Sequence, residues 1–155
     1  MSEPEKDFPA LAKAQRRRAD IHHALIELEA AVSSPAPGRE EDWARGVITS
    51  LGTLRETIEE HIEVTESSGG LYDEVLRLAP RLSGAVARLR EEHPAMREAT
   101  SELIARLRTA DFGPSFPLDD TRDALQRLLG QIVKHRQHGA DLVWEAYNLD
   151  IGGID

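Results

Sequence analysis

Residues 51–61 of the chain read LGTLRETIEEH, and this stretch shows the pattern that runs through the whole sequence. Apolar side chains stand at Leu51, Leu54 and Ile58, and the next position in the same series is His61. Steps of three and four residues return a side chain to the same face of an α-helix. The stretch therefore predicts an amphipathic helix that carries a histidine on its apolar face.

The same spacing recurs in four long segments, and no convincing run of alternating polar and apolar residues predicts a strand. Prolines and glycines, which end helices, mark the boundaries between the segments. These boundaries are residues 33–38, residues 67–70, Pro80 and residues 111–117. Four amphipathic helices with short connections bury their apolar faces most simply as an antiparallel up-down four-helix bundle. We therefore expect an all-α fold, as a single domain over residues 1–155 with loosely ordered tails at 1–7 and 148–155.

Composition excludes several kinds of site. The 155 residues include no cysteine, which rules out disulfides, thiolate zinc sites, iron–sulfur clusters and cysteine nucleophiles. A net charge of −9 makes the chain a poor ligand for a phosphate backbone, so we expect no nucleic-acid partner. No serine stands in a nucleophile-elbow motif, and Gly69-Gly70 lacks the lysine and hydroxyl residue of a phosphate loop.

The sequence also indicates a location. No apolar run approaches the roughly 18 residues that a membrane-spanning helix requires, so we expect no membrane partner. The charged first residues lack the apolar stretch of a signal peptide. Absence of cysteine fits a reducing compartment. Together these features predict a cytoplasmic protein.

Three of the six histidines lie on the apolar face of three different predicted helices. His61 follows Ile58 by three residues, and His93 and His135 occupy equivalent positions in the later segments. The first segment supplies His22, three residues before Leu25, with His23 in reserve. A buried imidazole needs a partner for each ring nitrogen or it costs stability.

The heights of these histidines along the helices are similar. His93 lies 18 residues before Asp111, and His135 lies 18 residues after Pro117, so the two flank the same turn at equal distance. Inward imidazoles at one level form a site that suits iron, zinc, copper or nickel, and bundle cores are a recurrent place for such sites. The alternative is a layer of histidines without metal, whose ring nitrogens are satisfied by buried water and nearby carboxylates.

The motifs around these histidines resemble those of the hemerythrin-like (HHE cation-binding) domains, over roughly residues 10–147. The motifs are His22-x-x-Leu25, Leu54-x-x-x-Ile58-x-x-His61, Leu89-x-x-Glu92-His93 and Ile132-x-x-His135. The resemblance implies a four-helix bundle that holds a non-haem diiron centre. Members of that family bind oxygen, store or sense iron, or respond to oxygen and nitric oxide.

The chain departs from the family pattern at three positions. Thr65 stands where the family has a glutamate, Arg97 where it often has a histidine, and Ala140 where it has a carboxylate. A diiron centre needs bridging carboxylates, which here could come only from Glu66 or Asp141. The resemblance thus implies a mononuclear or dinuclear iron site, with zinc or no metal as alternatives. The predicted ligands are His22, His61, His93 and His135, assisted by Glu66 and Asp141, with His23, His138 and Tyr72 as supporting or reserve residues.

The function expected from these features is metal binding by a hemerythrin-like bundle, with a role in oxygen or nitric oxide sensing or in iron handling. The partner would then be a small diatomic or peroxide ligand. One alternative is a non-enzymatic bundle with a metal-free histidine layer, which acts as an interaction or small-ligand-binding module. An oxidase or peroxidase-like activity of the same centre is a third, and the sequence assigns no oligomeric state.

Overall fold

The computed structural model describes residues 7–149, and every regular element within this range is helical. The tails predicted at residues 1–7 and 148–155 fall largely outside the described residues. Four long helices account for most of the chain, as the apolar spacing predicts. The elements are α1 (Pro9–Ser33), α2 (Glu40–Glu66), α3 (Leu71–Leu78), a 3₁₀ turn (Pro80–Leu82), α4 (Ser83–Arg108), α5 (Leu118–Val143) and a π-helical turn (Trp144–Leu149).

The four long helices pack against one another in a helical bundle. Helix α1 packs along α2, α2 along α4, and α4 along α5, and α1 also contacts α5. The short helix α3 contacts both α1 and α2 at one end of this arrangement. Among the helices of residues 7–149, none has the length and apolar character that a membrane span requires.

Local sequence explains where the helices begin and end. Helix α2 starts with Glu40, Glu41 and Asp42, whose charges match the positive end of the helix dipole. After α2, the chain turns through Gly69, which has a positive φ of 75°. At Gly70 a Cβ atom would lie 2.8 Å from the carbonyl oxygen of Ser67, so the turn excludes any larger residue.

Buried apolar side chains form two clusters, which the histidine-bearing level separates. On α4, His93 lies between Leu89 of one cluster and Met96 of the other. On α5, His135 follows Ile132, the last residue that this helix gives to the larger cluster. The apolar faces thus bury the helices against one another, while a polar layer crosses the core between the two clusters.

Candidate metal centre

Histidines from three helices meet in the polar layer. His61 on α2, His93 on α4 and His135 on α5 have ring centroids 5.0, 5.1 and 4.9 Å apart. One ring nitrogen from each lies within 4.8 Å of the others, a spacing from which the three could hold one metal ion. The side chains of His93 and His135 are buried, and that of His61 is partly buried.

The fourth predicted ligand does not join them. His22 lies exposed on α1, and its neighbour His23, the reserve candidate, is exposed as well. The prediction that His22 points inward is wrong because Ile21 is buried, and successive residues on a helix point about 100° apart. The spacing of three residues between His22 and Leu25 is compatible with a shared face. Ile21, four residues before Leu25, fits the same spacing and is the residue that points into the core.

Carboxylates stand behind two of the three rings. The Nδ1 atom of His135 lies 2.7 Å from Oε1 of Glu92, and the Nδ1 atom of His93 contacts the carboxylate of Glu66. A carboxylate at Nδ1 holds the ring proton there and leaves the Nε2 lone pair free to accept a proton or bind a metal. Both rings are therefore oriented with Nε2 as the ligand atom.

The Nε2 atoms face protein groups. Nε2 of His61 lies 3.0 Å from Nε2 of His135. With the His135 proton on Nδ1, the His61 Nε2–H donates this hydrogen bond. The hydroxyl of Tyr72, whose ring stacks on His93 at 5.9 Å and 14°, lies 3.3 Å from Nε2 of His93 and donates to it. Tyr72, which the sequence analysis names as a supporting or reserve residue, thus contacts the cluster through His93.

The electrostatic environment keeps the three imidazoles neutral. Burial, with smaller contributions from His93 and His135, lowers the pKa of His61 to about 3. Burial also lowers the pKa of His93 and of His135, although Glu66 and Glu92 oppose the shift. Neutral imidazole is the form that binds a metal ion. Because the three histidines are already neutral near pH 7, metal binding does not first require the deprotonation of an imidazolium.

Glu92 has a role that the sequence did not indicate. Its Oε2 atom lies 3.1 Å from Nδ1 of His138, while Oε1 contacts His135. Burial raises the pKa of Glu92, but the hydrogen bonds from the two histidines outweigh this and hold the pKa below its usual value. The sequence shows Glu92 only as a member of the motif Leu89-x-x-Glu92-His93, and nothing in the local spacing indicates that its side chain reaches another helix.

The remaining predicted residues are placed as follows. Glu66 contacts the Nδ1 atom of His93 and lies 3.9 Å from the Arg90 guanidinium. Asp141 is exposed and accepts a hydrogen bond of 3.0 Å from Gln137. Thr65, where the family has a glutamate, is buried and donates to the carbonyl oxygen of His61 in its own helix. Neither carboxylate therefore takes the place of a bridging ligand.

The residues present fit one metal ion better than two. Three imidazole nitrogens at these distances suit a single transition-metal ion, whereas a dinuclear centre needs carboxylates between the metals. Within residues 7–149, the group of side chains with metal-ligand spacing consists of these three histidines. The group contains no carboxylate.

Comparison of the chain with family models, curated proteins and solved structures gives no match. The resemblance to hemerythrin-like domains therefore rests on the histidine motifs alone and stays a prediction.

Proposed function

We propose that the protein binds a single divalent transition-metal ion through the Nε2 atoms of His61, His93 and His135. The observation that carries this proposal is the convergence of three neutral imidazoles from three helices, two of them backed by carboxylates. Such carboxylate–histidine pairs are the usual surroundings of metal-bound imidazole, because the carboxylate orients the ring and raises its basicity. We further infer an antiparallel up-down order of the helices, as in the hemerythrin-like bundles.

The donor set and the resemblance bear on the identity of the metal. Three histidines with a coordination position left for a small molecule form a ligand set that zinc accepts, and imidazole also suits iron. The hemerythrin-like motifs favour iron, and with it a role in iron handling or in the sensing of oxygen or nitric oxide. When bound, iron would supply a redox-active centre, and zinc would supply a Lewis acid. The protein supplies three uncharged imidazoles in a largely buried layer, and carboxylates orient two of them.

A titration of metal-free protein, purified without a histidine tag, tests the proposal. We expect about one equivalent of Zn²⁺ or Co²⁺ to bind, and about one of Fe²⁺ under anaerobic conditions. His93→Ala and His135→Ala should each remove most of this binding. The exposed pair His22→Ala and His23→Ala is a matched control and should leave it unchanged. Less than about a tenth of an equivalent in the unmodified protein, or full binding by His93→Ala, would contradict the proposal.

A metal-free histidine layer is the second candidate, and one observation favours it. The Nε2 atoms already have protein partners, because His61 contacts His135 and Tyr72 contacts His93. This candidate predicts that chelators and added metal leave the thermal unfolding midpoint unchanged. A bound metal, in contrast, raises the midpoint with its concentration, since a ligand of the native state stabilises it by mass action.

A further inference from the structure

A small pocket opens beside the histidine layer, between α1, α2, α3 and α5. It has a volume of about 60 Å³, and His61, His135, Thr65 and Tyr72 contribute to its polar wall. Most of the rest is apolar, with Leu11, Ile21, Leu71, Leu142 and Val143 among the lining residues. A water molecule needs roughly 10–15 Å³ of such volume, so the pocket has room for a ligand of a few non-hydrogen atoms.

Two arginines line this pocket, and no carboxylate does. Arg18 comes from α1 and Arg136 from α5, directly after His135. The protein has 28 acidic residues against 19 basic ones, so a lining with two guanidinium groups and no Asp or Glu is contrary to the overall charge. The local positive charge selects an anion.

Arg136 has an unused hydrogen-bond donor. Its Nε atom is buried, and no group in the described part of the chain accepts a hydrogen bond from it. Burial, and next the charge of Arg18, lowers the pKa of Arg136. A buried donor without an acceptor costs free energy, and two guanidinium groups that repel each other add to this cost. An anion between them would relieve both.

Arg18 is an exposed residue of α1 that lines this pocket. It lies three residues before the buried Ile21 and four after Ala14, which also lines the pocket. The other residues that α1 contributes to the lining carry no charge, so Arg18 is the cation that this helix brings to the pocket.

We propose that this pocket binds a small monocarboxylate of about two to four carbons, whose carboxylate is held by Arg18 and Arg136 while its alkyl part lies against the apolar wall. The arginine fork matches the two oxygens of a carboxylate, and the apolar lining disfavours a second charge at the other end of the ligand. This binding does not depend on a metal ion, because the arginines and not the histidines hold the charge.

Calorimetric titration of the metal-free protein with sodium propionate at low ionic strength, checked by NMR chemical-shift changes, tests this inference. We expect saturable binding of one equivalent. Arg136→Gln and Arg18→Gln should each weaken it by about tenfold or more. Arg127→Gln, on the same helix but outside the pocket lining, is the matched control and should bind as the unmodified protein does.

A second variant blocks the pocket without removal of charge. Gly139 lines the pocket, and a Cβ atom there would meet no atom within 4 Å, so Gly139→Leu introduces bulk without a clash at Cβ. Since leucine favours helix more than glycine does, the variant should stay folded while propionate binding is lost. Circular dichroism of each variant, recorded beside the titration, establishes that it is folded.

Five outcomes would overturn the inference. The first is no binding at about 10 mM propionate in the folded, unmodified protein. The second is equal binding of propionamide, which lacks the charge. The third is equal binding of chloride or nitrate, which lack the alkyl part. The fourth is binding that Arg136→Gln leaves unchanged, and the fifth is binding seen only after metal is added. The effect of His93→Ala on metal binding tests the proposed metal site. It has no bearing on whether the pocket binds propionate.

Discussion

The Nε2 atoms of His61 and His135 lie 3.0 Å apart although the two residues are 74 positions apart in the sequence. When both rings are neutral, the proton on Nε2 of His61 lies between the two atoms and forms a hydrogen bond. His135 carries its own proton on Nδ1, which faces Glu92. A metal ion placed between the Nε2 atoms would displace that shared proton to Nδ1 of His61. The same geometry therefore supports either a hydrogen bond or a pair of metal ligands, and Glu92 decides which nitrogen of His135 faces inward.

From this role we expect Glu92→Gln to weaken metal binding by about 10- to 100-fold, because the neutral amide no longer raises the basicity of His135. A competition titration with a chromophoric chelator measures the dissociation constant of Zn²⁺ for both proteins. Glu91→Gln removes the same charge from an exposed neighbour and serves as the control. Equal affinities of Glu92→Gln and Glu91→Gln would show that the Glu92–His135 contact does not tune the site.

Thr65 offers a test of the nuclearity of the site. It is buried beside His61, at the position where the family pattern has a glutamate. We expect Thr65→Glu to destabilise the metal-free protein by about 1–3 kcal/mol, because it buries a carboxylate without a partner. Anaerobic iron should restore this stability and bind in a larger amount than in the unmodified protein, since the new carboxylate can bridge two ions.

The matched control is Thr65→Gln, which has the same shape without the charge. Iron content by mass spectrometry and thermal unfolding with and without iron measure the effect. An unchanged iron content in a folded Thr65→Glu protein would mean that the site holds a single ion whatever stands at position 65.

The sequence predicted the helices well because their apolar spacing is regular, and it placed His61, His93 and His135 on faces that meet in the structure. It failed at α1, where His22 satisfies the spacing to Leu25 but Ile21 takes the inward direction. In the same helix the exposed side chain of Arg18 lines a pocket, which spacing along the helix does not indicate. Residue spacing along one helix indicates which face is apolar. It does not indicate at which position along the axis a side chain contacts another helix.

Long-range contacts of single carboxylates were equally beyond the sequence. Glu74 on α3 is buried with 3 % of its surface exposed. It accepts hydrogen bonds of 3.2 Å from the backbone N–H groups of Ala10 and Leu11. No local pattern relates a short helix to the start of another one more than 60 residues earlier. The hydroxyl of Tyr147 also donates to Glu74, over 2.7 Å.

Glu74 should accordingly contribute to stability through these contacts. We expect Glu74→Gln to lower the free energy of unfolding by about 1–3 kcal/mol, because the amide nitrogen brings a donor against backbone donors and the charge is lost. Urea unfolding measures the change, with the exposed Glu56→Gln on α2 as the control. Tyr147→Phe should cost about 1 kcal/mol, and less than this when Glu74 is already replaced. Full stability of Glu74→Gln would exclude this account.

The stability of the metal-free protein should fall in mild acid. Burial lowers the folded-state pKa of His61 to about 3 and that of His93 and His135 below the usual value of 6.5. Below about pH 6.5 the unfolded chain therefore binds protons that the folded chain does not, and the free energy of unfolding decreases as the pH falls. Each such histidine contributes a slope of up to about 1.4 kcal/mol per pH unit.

Urea unfolding of metal-free protein at about pH 7, 6 and 5 measures this slope. We expect His61→Gln to reduce the slope by the contribution of about one proton, because the variant lacks the group whose folded-state pKa lies at about 3. His22→Gln removes an exposed histidine and should leave the slope unchanged. If the free energy of unfolding does not change between about pH 7 and 5, the three rings do not share a buried, uncharged layer, and the arrangement proposed for metal binding fails with it.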